Sequence, residues 1–477
     1  MTASKPDTPP NSSTEDGVLQ TTVTSPETAG IYGFRSLTLM VIASMIGAGV
    51  FTTSGFTLGV VQTPGVVLLC WCLGGLLAIC GAIGYGQLAA LLPQSGGEYL
   101  YLSRNVHPCA GFLAGWISLT AGFSGAIATA AVAFERYAVP AELRPNWLPA
   151  DSMAALAIVL CGVLHGIHPA TGKWFQNGVV LIKLVAMTVF LAVVAVRLPT
   201  HPWHFEGTGA DSLTGMDLVS AVAVSLVWIS LSYAGFNAAI YVASESRAAA
   251  KSVPGALLAG TIAVTALYLI LNAIFVLATP AEDVVWQEAV AAIAARSIGG
   301  PSLEALIRMA VALGLLSSVS AMVVAGPRVY SQMADDGVFP SLFRAASGGI
   351  ARSVALQTVI AVGLIVVQSL LVRAGLIRSS LLGLLMYLGT TLSVSSAICV
   401  GTLFLPSVRR QLKTSSLLRD TAVSVYVLGT LGSVVILMCT HEVDGQSQGL
   451  HHMAGAALTI VSGLLAWTVF RRRKTAD

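Results

Sequence analysis

The stretch IASMIGAGVFTTSGF, Ile42 to Phe56, decides the fold. It lies in an apolar run from Leu37 to Gly59, long enough to cross a bilayer core that about 20 residues span. Gly47 and Gly49 stand at its middle with only Ala48 between them. Glycine inside a helix costs about 1 kcal/mol relative to alanine. A break in hydrocarbon also strands amides and carbonyls, each costing several kcal/mol unless protein, water or a ligand satisfies it. Two readings follow. Small residues let helices pack closely, or the helix opens around a cavity whose occupant completes the hydrogen bonds.

The chain around this stretch is a membrane chain. It has 477 residues, 55% hydrophobic and only 10% charged, with a mean hydropathy of +0.80. A soluble chain carries about 25% charged residues, so most of this surface is expected to face lipid. A net charge of +3 gives no reason to expect nucleic acid as a partner. The seven cysteines have no metal or redox spacing and read as buried free thiols. No cofactor or metal is expected. Residues 1–31 are rich in Ser, Thr, Pro and acids and are expected to form a disordered cytoplasmic tail. They lack the basic and short apolar regions of a cleavable signal, so the first span is expected to direct insertion.

Hydropathy predicts an all-α membrane protein of about twelve spans. They cover Leu37–Gly59, Pro64–Leu91, Cys109–Tyr137, Met153–Leu164, Asn177–Val196, Asp217–Val242, Pro254–Ala278, Leu306–Tyr330, Val354–Val372, Ser380–Phe404, Val423–Cys439 and Ala454–Phe470. EAVAAIAARS, Glu288–Ser297, predicts an amphipathic surface helix between spans seven and eight. A short helix is expected around Phe339–Arg344. Glu135 reads as the solvated end of span three, and His165, His168, His441, His451 and His452 as solvated loop residues. Basic residues such as Arg104, Arg247, Lys251, Arg328 and Arg409 concentrate on the side of the N-terminus, which places both termini in the cytoplasm. The basic 471–477 tail is expected to contact anionic lipid. Short tails and loops suggest a bacterial inner membrane.

Span six repeats the anomaly of span one. SYAGFNAA, Ser232 to Ala239, again sets small and polar residues at mid-helix, about five helices later. Paired interruptions in corresponding positions of two halves point to an inverted-repeat transporter with its site at the breaks. Free amides beside free carbonyls suit a zwitterion, because an amino acid carries its carboxylate and ammonium on one carbon. Neither break holds a carboxylate side chain, which a cationic side chain of the substrate would need, so the substrate is expected to be neutral. Lys183, in VVLIKLVAM, is an intramembrane lysine. It either snorkels to the interface or acts as a proton-responsive cation whose charge burial penalises.

These motifs resemble the amino acid–polyamine–organocation (APC) superfamily of transporters. GAGVF at Gly47–Phe51 is similar to the family's helix 1 break, and GQLAALLPQSGGEYLYLSR at Gly86–Arg104 to the stretch that ends helix 2. GFLAGWISL in span three fits as well. SYAGFNAAIYVASESRAAAKSVPGAL at Ser232–Leu257 resembles the helix 6 break, and PRVYSQMADDGVFP at Pro327–Pro340 the turn after helix 8. The resemblance runs from about Tyr32 to Phe404. It implies two inverted five-helix repeats, at 32–205 and 206–405, with two more helices in 406–470. It further implies that the Gly47, Ala48 and Gly49 amides hold the substrate carboxylate, and that carbonyls near Ile46, Leu231 and Ser232 hold its ammonium. Tyr233, Gly235, Phe236 and Asn237 complete the expected site. Lys183, with Ser317 and Ser318 as neighbours, matches a helix 5 lysine of proton-coupled members.

The expectation is a proton-coupled symporter of neutral amino acids. An exchanger on the same fold stays open, as does a non-transporting amino acid sensor. No H-E-x-x-H or G-x-S-x-G motif and no paired intramembrane acids suggest an enzyme. Oligomeric state is not read from the sequence.

Overall fold

The computed structural model describes residues 32–140, 144–167, 185–209, 213–412, 416–439 and 448–474. Most of these residues are helical, because a segment in hydrocarbon must satisfy its own backbone groups. The first apolar run is two helices, α1 (Phe34–Met45) and α2 (Gly49–Val61), bent by 44° at the glycines. Then come α3 (Pro64–Leu91), α4 (Gly97–Asn105) and α5 (Pro108–Ala138), the last with a π-helical stretch at Ser118–Gly125. After α6 (Ser152–Ile167) and α7 (Val185–Arg197), α8 (Gly215–Ser232) stops at the second anomaly, and a 3-10 run follows at Ala238–Glu245. The rest is α9 (Ala249–Leu277), α10 (Val290–Asp335), α11 (Gly349–Arg373), α12 (Ser380–Gly401), α13 (Leu417–Cys439) and α14 (Gln448–Lys474).

Among the described residues eight helices are long and apolar enough to cross a membrane, and the bent α1–α2 pair makes a ninth. Three further apolar helices, Ser152–Gly166, Val185–Arg197 and Ala454–Phe470, are shorter. The 16 residues of α6 reach about 24 Å at about 1.5 Å per residue, short of the ~30 Å core. Among the described residues nine of the twelve expected spans meet this length, and the fifth, expected at Asn177–Val196, is described only from Val185. The protein is a multi-pass membrane protein, and Lys183, His168, His441 and residues 1–31 lie outside the described residues, as do the side chains of His451, His452 and 471–474.

The expected surface helix at Glu288–Ser297 is instead buried. Val290, Ala291, Ala292, Ala294 and Ala295 have essentially no exposure. An alanine-rich helix has little side chain to hold it off its neighbours, and this one packs on α5, where the Ala291 amide donates to Tyr137 Oη at 3.3 Å. It runs on into α10 through a kink at Gly300, whose φ of 72° suits glycine. The loop before it lies across α2. The Trp286 amide donates to the Gly55 carbonyl at 2.9 Å, and a Cβ on Gly59 would sit 2.4 Å from the Trp286 ring. The Arg378 guanidinium covers that ring at 4.4 Å.

Two further expectations fail in the same physical way. Glu135 is fully buried rather than solvated. It accepts from the Arg144 guanidinium and from the amides of Asp151 at 2.8 Å and Ala154 at 2.9 Å. The first turn of α6 has amides with no helical partner, and Glu135 supplies the acceptor. His165 is on α6, not in a loop; it is buried and bonds Ser320 of α10 at 2.7 Å. The expected short helix near Phe339 is a single 3-10 turn, Ser341–Phe343.

Candidate functional site

At the first break the backbone leaves the helical region at Ile46 (φ −72°, ψ 81°). The Gly47 amide turns back to the Met45 carbonyl at 2.8 Å. The next amides, Ala48 and Gly49, hydrogen-bond to no described residue. They form the N-terminus of α2, where unpaired amides and the helix dipole favour an anion. The expected carboxylate cradle at Gly47–Gly49 therefore narrows to Ala48 and Gly49, because Gly47 spends its donor locally.

The second break faces the first. Helix α8 ends at Ser232, and Gly235 takes φ +99°, a conformation that favours glycine. A Cβ on Gly235 would sit 2.7 Å from the Ser44 carbonyl oxygen, and one on Gly49 2.2 Å from Ser232 Oγ. The two backbones therefore touch at two points, which only glycine allows. Gly47 differs, since nothing nearer than Met45 O at 3.8 Å would meet its Cβ. On the acceptor side, the Leu231 carbonyl already takes the Ala234 amide at 2.9 Å. A carbonyl has a second lone pair, and that is what Leu231 has left for a ligand.

Side chains from other helices hold the opened backbone. Tyr268 Oη of α9 donates to the Met45 carbonyl at 2.5 Å. Thr53 Oγ1 meets Ser232 Oγ at 3.3 Å, across the two broken spans. Trp71 Nε1 donates to Ser54 at 2.9 Å, Ser54 to Asn272 at 2.5 Å, and Tyr137 Oη to the Phe51 carbonyl at 2.6 Å. α2 is thus buried nearly all round, whereas α1 buries only Leu37, Val41 and Met45. Ala43 and Ser44 remain exposed on α1 beside the break. The Trp286 loop covers α2 beyond the break, at Gly55 and Gly59. Tyr268→Phe removes a buried bond to a break carbonyl. It is expected to cost about 1–3 kcal/mol, read as a lower melting temperature in detergent beside wild type.

The other expected residues divide. Gly49, Ser232 and Gly235 meet at the crossing, and Ile46 and Ala48 are buried in the first break. Tyr233 turns away to donate to the Trp71 carbonyl at 3.0 Å and packs with Trp71 and Tyr268. Phe236 is buried against Tyr85 and Tyr426. Asn237 directly precedes the 3-10 run, with its carbonyl accepting the Ile240 amide at 3.1 Å. Ser317 is buried on α10, and Ser318 donates to its own helix at Gly314, 3.0 Å away. Tyr268 and Trp71 were missed in the sequence because an aromatic in an apolar run carries no sign that it caps a distant backbone. Among the described residues no cluster of His, Cys, Asp or Glu could hold a metal.

Comparison with known proteins finds a family and transporter relatives. The amino acid permease family profile matches residues 32–462. The b(0,+)-type amino acid transporter 1 of Mus musculus is 26% identical over 255 residues, 52% of this chain and 52% of that protein. The large neutral amino acids transporter small subunit 2 of Oryctolagus cuniculus is 24% identical over 318 residues, 65% of this chain and 58% of its own. Solute carrier family 7 member 12 of Mus musculus is 27% identical over 321 residues, 65% and 67%. The chain thus spans about half to two thirds of the length of the curated relatives it matches.

Proposed function

This chain belongs to the amino acid permease family of the APC superfamily, and from that premise we propose that it is a secondary transporter of neutral amino acids working by alternating access. The observation that carries the reading is the pair of facing breaks, with the Ala48 and Gly49 amides open on one side and carbonyls of α8 on the other. The amides take the substrate carboxylate, and carbonyls at Ile46, Leu231 and Ser232 take its ammonium. The breaks hold no Asp or Glu to meet a cationic side chain, which supports a neutral substrate, as does the name of the second relative. Repeats at 32–205 and 206–405 rock about this site, with both termini in the cytoplasm of a bacterial inner membrane. Transport is coupled to protons, with Lys183, Ser317 and Ser318 as coupling residues.

Uptake of radiolabelled alanine, serine, leucine and phenylalanine into proteoliposomes tests this, with and without an inward proton gradient. Gradient-driven accumulation of at least one label is expected, and Lys183→Ala should lose it while keeping exchange. Uptake that needs internal amino acid and ignores the gradient makes the protein an exchanger instead. No movement of any label sinks the transport reading.

A further inference from the structure

We propose that Glu98 is a proton-binding site of the transport cycle, set beside the second break on the side where α1 begins. The inference rests on reading the chain as a transporter.

Glu98 begins α4, outside the spanning helices, yet its side chain is buried. The turn that carries it inward is built for the purpose. Gly96 and Gly97 take φ of 145° and 57°, and a Cβ on Gly97 would sit 2.3 Å from the Tyr241 ring. One carboxyl oxygen accepts from Tyr85 Oη of α3, and the other from Ser395 Oγ of α12 at 3.0 Å. Among the described residues no cation pairs with it. The groups that face it are Tyr85 on α3, Tyr241 on the 3-10 run, Ser395 and Cys399 on α12 and Tyr426 on α13. All are neutral near pH 7. The charged residues of α5, Glu135 and Arg136, lie at its far end, and Arg104 on α4 is exposed.

A buried carboxyl without a counter-charge favours its neutral form. Burial pushes the Glu98 pKa above the usual carboxyl range, and its two hydroxyl donors only partly oppose this. The folded group therefore holds its proton to higher pH than an exposed one, and the packed cluster weakens as pH rises through that raised value.

The same cluster touches the substrate break. The Phe236 ring meets Tyr85 at 5.7 Å, and Ser95 bonds Ser244 of the 3-10 run at 2.6 Å. Movement of the second break therefore repacks the surroundings of Glu98. When α3 and the 3-10 run separate from α4 and α12, water reaches the carboxyl. Its proton then passes to a water molecule on that side and leaves one negative charge on Glu98. Repacking takes one proton back. Substrate at the break and the proton at Glu98 act on one packing arrangement, which links their affinities reciprocally.

Infrared difference titration of the purified protein from about pH 5 to about pH 9 reads the carboxyl directly, without substrate. A protonated-carboxyl band that disappears in Glu98→Gln is expected. In proteoliposomes, wild-type uptake of the four labels should fall about tenfold per pH unit above the midpoint. Glu98→Gln, shaped like the protonated acid, should transport with a flat profile. Tyr85→Phe removes a donor to the carboxylate and should move the midpoint upward, a second reading if the Gln variant does not fold. A band unchanged in Glu98→Gln, a wild-type pH profile in that variant, or an unmoved midpoint in Tyr85→Phe overturns the proposal. Wild type that moves no label fails the transport reading separately, and the infrared titration still decides whether Glu98 binds a proton.

Discussion

Gly49→Ala is expected to lower amino acid uptake about a hundredfold, while Gly47→Ala, two residues away, leaves the folded protein intact. The added Cβ at 49 would lie 2.2 Å from Ser232 Oγ and 2.6 Å from Ser232 Cα. Backbone cannot yield as a flexible side chain does, so the broken spans must move apart. Overpacking of this kind costs about 1–3 kcal/mol. The larger effect is on function, because a shift of ~1 Å in a binding constellation can cost about 10²-fold. At 47 nothing lies within 3.8 Å of the new methyl, so stability should change by no more than ~0.5 kcal/mol. Proteoliposome uptake and thermal melting, run on both variants, check this. Equal loss of uptake with a normal melt in both would mean that the methyl acts on the substrate, not on the crossing of the helices.

Glu135→Ala should be the most destabilising single change at the opposite end of the molecule. Glu135 is fully buried and satisfies Arg144 and two amides at the start of α6. Removing one partner of a buried pair costs about 3–5 kcal/mol, because the other is left uncompensated. The loss should spread. Arg136 beside it bridges Asp151 at 2.9 Å and Glu288 at 2.5 Å, and Asp151 accepts from Ser369 at 2.7 Å and Ser380 at 2.5 Å. These bonds join α5, α6, α11, α12 and the loop across α2. Glu288→Gln touches only the partly exposed end of that network and should cost roughly 1 kcal/mol. Melting temperatures in detergent decide the order. A Glu135→Ala melt within error of wild type would show that the network adds little.

The sequence reveals the breaks because two glycines at mid-depth contradict everything else a membrane helix needs. The second break was legible for the same reason, and the pairing of the two carried the family. Detail was lost wherever one residue type serves two environments. Glu135 looks like any acid at a helix end until the chain at 144–151 folds back over it. EAVAAIAARS has an arginine and a glutamate to suggest a wet face, yet its alanines let it sit flush against α5. Gly47 and Gly49 look alike in the sequence. Only the approach of Ser232 separates a glycine that is needed for packing from one that leaves space. The Gly47 amide bonds the Met45 carbonyl in one local turn, which no periodicity reveals.

The most direct test of the facing breaks as the substrate site is an experimental structure of the protein with its transported amino acid bound. The expected result is the carboxylate at about 2.7–3.2 Å from the Ala48 and Gly49 amides, with the ammonium against carbonyls of Ile46, Leu231 or Ser232. An amino acid seated elsewhere, for instance in the small apolar cavity lined by Phe51, Phe190 and Phe275, with those amides left empty, would contradict it.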